Sequence, residues 1–545
     1  MSFEFDALKY SYPSIRRVIY GKKGMVCSSQ PLAAQAGLDI LKKGGNAVDA
    51  AIAVAACLTV VEPTGNGIGG DAFALVWLKD KLYGMNSTGP APMKFNTEEV
   101  IEKYGNTMPK YGWVPVTVPG IPSAWAELSK KFGKLPLTEV LKPAIEYAEE
   151  GFPVSPIISK LWNTAFKNYS NFFKEEGSDE IKEEFKSWFQ TFIPNGKAPQ
   201  PGDFVKLPDH GKTLRELAET NCESFYRGKI AEKIDEFSKK TGGYLRKEDL
   251  AEFRAQFVEP ISTTYRGYTV SEIPPNGHGI VALMALNILE GFEFESVRES
   301  AKSIHKQIEA MKLAFVDGQH YVTDPRYMKV TPEQLLSKEY AEKRRKLIGE
   351  KAVDPKYGDP SCGGTVYLCT ADSEGNMVSY IQSNYMGFGS GLVVPGTGIG
   401  LHNRGNNFNL NLESENCAAP GKKPYHTIIP GFLSKDGKAI GPFGVMGGFM
   451  QPQGHLQVIT NTIDFGMNPQ EALDAPRWQW VGGKTIEVER NFPYAITEEL
   501  IRMGHDIKVV PDSILMGRGQ IIWRNEEGVL VGAFEPRTDG IVAAW

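Results

Sequence analysis

The apolar pattern of this chain changes character at one point. Up to Thr365 helical spacing dominates; from "TVYLCTAD" (Thr365–Asp372) onward strand-like runs take over. "TVYLCTAD" and "MVSYIQS" flank "SEGN", a hairpin signal with Gly375 placed for a positive φ angle. "HTIIPGFL", "AIGPFGVMG" and "IIWRN…VLVGAFEP" continue in the same texture. No stretch between the two textures reads as a linker. A helix-rich first two-thirds joined to a strand-rich last third predicts an α+β fold, with sheets packed together and helical layers outside.

Within the first part, "SSQPLAAQAGLDILKKGGNAVDAAIAVAACLTVVEP" reads as two helices. Ser28 or Ser29 is placed to cap the first, Gly44-Gly45 stops it, and Asn46 caps a second helix that is apolar nearly all round and hence buried. "DAFALVWL" and "KLYGMNS" read as strands joined at Lys79-Asp80. "NFFKEEGSDEIKEEFKSWFQ" has helical spacing and predicts an exposed helical layer, while "SIHKQIEAMKLAFVDGQHYV" and "TPEQLLSKEYAEKRRKLI" predict amphipathic helices.

Composition narrows the partners. The 545 residues carry 60 Lys and Arg against 65 Asp and Glu, a net charge of −5 too dilute to point to nucleic acid or a membrane surface. No apolar run reaches the roughly 18 residues of a membrane span. The N-terminal segment lacks a continuous apolar core, and the six cysteines (Cys27, Cys57, Cys222, Cys362, Cys369, Cys417) have no metal or redox spacing. A cytoplasmic protein with free thiols is the expectation.

Two familiar motifs fail on context. Gly65, Gly67 and Gly70 in "TGNGIGGDAF" match G-x-G-x-x-G, but a helix precedes and a strand follows, the reverse of a dinucleotide site. Close backbone packing or a turn is the better reading. The eight histidines include no pair at helical ligand spacing, so no metal is predicted. A G-x-S-x-G elbow is also absent.

"SCGGTVYL" offers a different chemistry. A Gly-Gly-Thr is usually a turn. If the Gly364–Thr365 bond were cut, however, Thr365 would carry a hydroxyl nucleophile and an α-amine of pKa about 7.7–8.0 on one residue. Glycines before the bond let the backbone approach without a Cβ clash.

At these residues the chain resembles the γ-glutamyltranspeptidases (glutathione hydrolases) of the N-terminal-nucleophile (Ntn) hydrolase superfamily. The resemblance is carried, in order, by "LDILKKGGNAVDAAIAVA", "VPGIPSAWAELSKKFGKLPL", "IPPNGHGIVALMALNILEGF", "IEAMKLAFVDGQHYVTDPRY", "GGTVYLCTADSEGNMVS", "NYMGFGSGLVVPGTGIGLHNRGNNF", "KKPYHTIIP" and "GVMGGFMQPQGH". It implies a four-layer αββα sandwich, no metal or organic cofactor, and a precursor cut before Thr365. The products would be a large subunit, 1–364, and a small subunit, 365–545, intertwined as one domain, with further homo-oligomer formation left open. Thr365 would take an acyl group from a small amide, γ-glutamyl compounds being the family default, and pass it to water or an amine. Gly447 and Gly448 fall on the family's oxyanion glycines. Ser383 and Asn384 fall where a hydroxyl and an amide orient nucleophile and acyl group, with Gln382 a third candidate.

The departures bear on substrate. The aspartate that faces the glutamyl α-ammonium in the family is Asn407 here, and a glutamine is replaced by Arg404. The paired serines that hold the α-carboxylate are His426 and Thr427, and the clamping arginine has no counterpart in "STGPAPMKF", where Lys94 is the nearest cation. The segment from Asn409 to Gly421 is shorter than the family's lid, which predicts a more open site. Arg404 favours an anionic acyl end. Two alternatives therefore stand beside γ-glutamyl transfer: an acylase of the cephalosporin-acylase type, acting on carboxylate-bearing acyl groups without the α-amine, and an uncleaved, non-catalytic binding protein.

Overall fold

The computed structural model describes residues 15–175, 177–355 and 364–545. Two seven-stranded antiparallel sheets lie at its centre. The first runs, edge to edge, through Ile541–Ala544, Gly24–Ser28, Gly364–Asp372, Met377–Tyr385, Asp71–Leu78, Lys81–Ser87 and Gln256–Val258. The second runs through Ile19–Gly21, Leu530–Phe534, Arg518–Arg524, Lys438–Met446, Gly431–Lys435, Tyr268–Glu272 and Ile261–Tyr265. Each sheet draws strands from both sides of Thr365.

Period-two alternation makes the layers. Along the strand Gly364–Asp372, Tyr367, Cys369 and Ala371 point between the sheets, packing with Phe73, Phe432 and Ile522. Val366 and Leu368 point the other way, into a core shared with the helices Pro31–Lys42 and Ala47–Val61. The second sheet carries Gly279–Leu289, Ala301–Tyr321 and Met450–Ile463 on its outer face. The result is the αββα sandwich. No helix among the described residues is long and apolar enough to cross a membrane. Cys27, Cys57, Cys222, Cys369 and Cys417 are free and buried, and Cys362 lies outside the described residues.

Local chemistry explains most element boundaries. Asn46 caps Ala47–Val61 through a reciprocal box with Asp49, and all of that helix is buried. Lys79 and Asp80 both take positive φ in the first hairpin, as Gly375 does in the second. Three expectations need correction. Gln30 caps the first helix, its side chain accepting from the amides of Leu32 and Ala33, because Ser28 is held in a strand. In the 171–190 stretch one helix ends at Phe172 and the next helical turn begins at Glu183, and Phe173, Phe185 and Trp188 are buried rather than exposed. Thr331–Ile348 is two short helices, because Ser337 caps a second start.

Candidate active site

Thr365 sits at a bulge. Gly364 pairs with Tyr385 and Val366 with Gln382, so Ser383 and Asn384 together oppose the single residue Thr365. A bulge re-aims side chains, and here it brings Thr365 Oγ1 to 3.1 Å from Ser383 Oγ. Tyr385 takes φ +73°, unusual for a side chain of its size, and its amide donates to Ser383 Oγ at 2.7 Å. Gln382 is turned to the helical side, donating to Ala55 O at 2.8 Å and Asn66 Oδ1 at 2.7 Å. Gln382 is therefore turned away from Thr365, Ser383 is the residue whose side chain meets it, and the Asn384 side chain lies against Gly67 and Gly70.

The rejected glycine motif is the cradle of this strand pair. A Cβ on Gly65 would lie 3.2 Å from the Thr365 carbonyl oxygen, on Gly67 3.0 Å from Asn384 Nδ2, and on Gly70 2.5 Å from the Ser383 carbonyl oxygen. The Asn384 amide donates to Gly65 O at 3.1 Å, and Asn384 Oδ1 is buried without a protein partner among the described residues. These glycines exist for close approach, as the sequence reading holds, but what approaches is the Thr365 bulge.

Gly447 and Gly448 follow the strand Lys438–Met446, which packs on Gly364–Asp372; a Cβ on Gly444 would strike the Tyr367 ring. Both take positive φ, +139° and +58°, and lead into the helix Met450–Ile463. They precede the helix cap Phe449, and their carbonyls accept from the amides of Met450 and Gln451 at 3.0 and 3.2 Å.

Beyond Ser383, its register partner Asp71 opens a strand that is otherwise apolar, "DAFALVWL". Arg404 donates to Asp71 from Nε (3.0 Å to Oδ2) and Nη2 (3.3 Å to Oδ1), and from Nη1 to Thr427 Oγ1 at 2.7 Å. Its guanidinium lies 4.5 Å from the centre of the Tyr385 ring. His426 Nε2 is 2.6 Å from Asp71 Oδ2, and His402 Nδ1 is 3.6 Å away. Asp71, His402, Arg404, His426 and Thr427 are all fully buried. Burial opposes the Asp71 charge, but Arg404 and His426 outweigh it and hold the carboxyl far below the usual range. Burial, helped by the Arg404 cation, lowers His426 to about 4. Burial lowers His402 to about 4 as well. Both rings are neutral at pH 7, so the cluster is one carboxylate balanced by one guanidinium.

Three expectations change here. Arg404 is not a free anion clamp, because its fork already faces Asp71. Lys94 is exposed and takes no part: Ala91 and Phe95 pack with Phe408 and Leu410, leaving Lys94 on the solvent side. Thr365 is 1 % exposed, so the residue itself is buried rather than open to solvent. Asn407 lies one turn after Arg404 with its Nδ2 buried and unpartnered among the described residues. Asp71 was missed by the sequence reading. Its signal was an acid heading an apolar strand in a chain that had also gained a cation at Arg404.

Other features lie apart from Thr365. A cavity of about 550 Å³ opens beyond the hydrogen-bonded Asn86 and Asn276 and is lined by Arg326 and Lys423, not by Thr365. His305, Glu309 and His505 converge, with His305 Nδ1 2.8 Å from His505 Nε2. The Lys312 ammonium already sits 2.7 Å from Glu309 Oε1, supplying the positive charge that a metal ion would bring.

Residues 33–545 match the Gamma-glutamyltranspeptidase family. The chain is 36% identical to the Glutathione hydrolase-like YwrD proenzyme of Bacillus subtilis (strain 168), covering 96% of this chain and 99% of that protein. It is 34% identical to the Acylase ACY 1 proenzyme of Pseudomonas sp. (strain SE83), covering 96% of this chain and 94% of that protein. The crystal structure of cephalosporin acylase from Bacillus halodurans superimposes with a TM-score of 0.96 at 60% identity, covering 100% of this chain and 99% of that one. With the sandwich, the glycine cradle and the threonine at the bulge in place, the chain belongs to the γ-glutamyltranspeptidase family of Ntn hydrolases.

Proposed function

We propose that this chain is a precursor that cuts its own Gly364–Thr365 bond and then works as an amidase and acyltransferase. Thr365 Oγ1 attacks the Gly364 carbonyl carbon, the C–N bond breaks, and the resulting ester is hydrolysed. The new α-amine of Thr365 then takes the hydroxyl proton as the same oxygen attacks a substrate amide. The amine product leaves with that proton, and water or an acceptor amine releases the acyl group. Ser383 holds Thr365 Oγ1, Asn384 meets the acyl group, and the Gly447 and Gly448 amides steady the oxyanion, a donor of that kind lowering a barrier by about 3 kcal/mol. The fragments, 1–364 and 365–545, would share both sheets. The observation that carries this reading is the 3.1 Å contact between Thr365 Oγ1 and Ser383 Oγ at a two-against-one bulge.

For the acyl group, small γ-glutamyl amides remain the family's substrate, but two observations favour acyl chains without an α-ammonium. Asn407 is neutral and presents a buried donor, Nδ2, which repels an ammonium. The cephalosporin acylase from Bacillus halodurans is 60% identical over 100% of this chain, against 36% over 96% for the glutathione hydrolase-like relative. A denaturing gel with N-terminal sequencing tests the cut: two bands, the smaller beginning at Thr365, are expected, and Thr365→Ala stays one inactive chain. One full-length band from active protein overturns the mechanism, and one band without activity favours the non-catalytic alternative. Turnover of glutaryl-anilide against γ-glutamyl-anilide tests the acyl group; strong preference for γ-glutamyl would remove the acylase reading.

A further inference from the structure

Asp71 lies on the upstream side of the cut and Arg404 on the downstream side, and the pair is joined by the guanidinium fork. We infer that Asp71 is a positioning residue for the nucleophile: it seats Arg404 against the Tyr385 ring, and Tyr385 in turn fixes Ser383 beside Thr365. The inference rests on Thr365 being the nucleophile.

The geometry runs without a break. Two N–H groups of Arg404 go to the two Asp71 oxygens and a third to Thr427, so the guanidinium plane is set from two sides. That plane meets the Tyr385 ring at 4.5 Å, and a desolvated cation is attracted to an aromatic face. Tyr385 needs such a hold, because a non-glycine residue at φ +73° is strained and persists only where its surroundings impose it. In that conformation its amide points at Ser383 Oγ, 2.7 Å away, and Ser383 Oγ points at Thr365 Oγ1. Ser383 is also the register partner of Asp71, so one row across three strands carries acid, hydroxyl and nucleophile. His426 holds the carboxylate from the remaining side.

Removing Asp71 alone leaves Arg404 buried and unpaired, which is strongly destabilising whatever else Asp71 does. The test therefore uses Asp71→Glu, Asp71→Asn and the double variant Asp71→Asn/Arg404→Gln, in which both charges are gone. Self-cleavage is followed on a gel, and kcat and KM are measured on the cut protein beside the parent and Thr365→Ala. The double variant is expected to fold and yet to lose about 100-fold in kcat with KM changed by less than about threefold, the cost of a misplaced reacting group. Asp71→Glu is expected to recover most of that loss. A double variant with parental kcat overturns the inference, as does one that fails to fold, which would assign the pair to the scaffold. If Thr365→Ala matches the parent in activity, the Thr365 reading itself falls, so the two failures are told apart.

Discussion

Two buried ion clusters in this molecule use the same side chains to different ends. In the buried cluster beyond Ser383, the mouth cluster, Arg404 has three contacts among the described residues for its five N–H donors: two to Asp71 and one to Thr427. In the scaffold, Arg537 has all five engaged, on both oxygens of Glu489, on Glu535 Oε1, and on the carbonyls of Leu473 and Ala475. Arg477 completes that cluster, bridging Glu535 Oε2 at 2.8 Å and the Gly517 carbonyl at 2.6 Å. Every charge in the scaffold cluster comes from one side of Thr365. The mouth cluster joins segments 333 residues apart, on the two sides of Thr365. A saturated cluster can only hold, whereas one with spare donors, neutral histidines and an aromatic face can also position.

Breaking the scaffold cluster should have the largest effect. Glu535→Gln leaves Arg477 and Arg537 short of a buried counter-charge and is expected to remove about 3–5 kcal/mol of stability in urea denaturation. The protein that does fold should keep its parental kcat. A folded, stable Glu535→Gln protein with kcat down tenfold would erase the distinction between the clusters.

Part of the pH response should come from the Asp71 cluster, alongside His210 and His505, which burial lowers to about 4 and about 3. His426 and His402 titrate near 4 in the folded chain and near 6.5 when unfolded. Between those values the unfolded chain binds the extra proton, so stability falls as pH drops from 6.5 towards 4. Asp71, with its lowered folded value, adds a loss in the same direction below about 4. His426→Gln should flatten the upper part of that slope by about 1–3 kcal/mol, read from denaturation midpoints across the range. An unchanged slope would mean that the mouth has no part in the acid limit.

The smallest effect should come from Asn407→Asp, which returns a carboxylate to the edge of the mouth without touching either ion pair. The ratio of γ-glutamyl- to glutaryl-anilide turnover is expected to rise about tenfold, an energy of about 1.4 kcal/mol. No change in the ratio would place Asn407 outside the acyl pocket.

Much of this was legible from local pattern. The capped, buried and mostly apolar helix Ala47–Val61, both hairpins, and a threonine behind two glycines at the start of a strand follow from propensity and spacing over a few residues. Which of Gln382, Ser383 and Asn384 meets Thr365 did not follow. The strand's period of two separates Gln382 from Ser383, but only pairing with Gly364–Asp372 says which face is occupied. Close backbone packing at the glycine loop was legible from its context, yet its use as a cradle waited on knowing what packs against it.

The amino-acid order alone determined the layers and the presence of a threonine able to become a chain end. Both depend on side-chain type and on neighbours within a turn or a strand. The tertiary structure decided what Arg404 means: a cation that looked free to receive an anionic substrate is compensated by Asp71, hundreds of residues away. The reason is electrostatic. Taking a charge out of water costs so much that its partner defines its role, and that partner is chosen by the fold and not by distance along the chain.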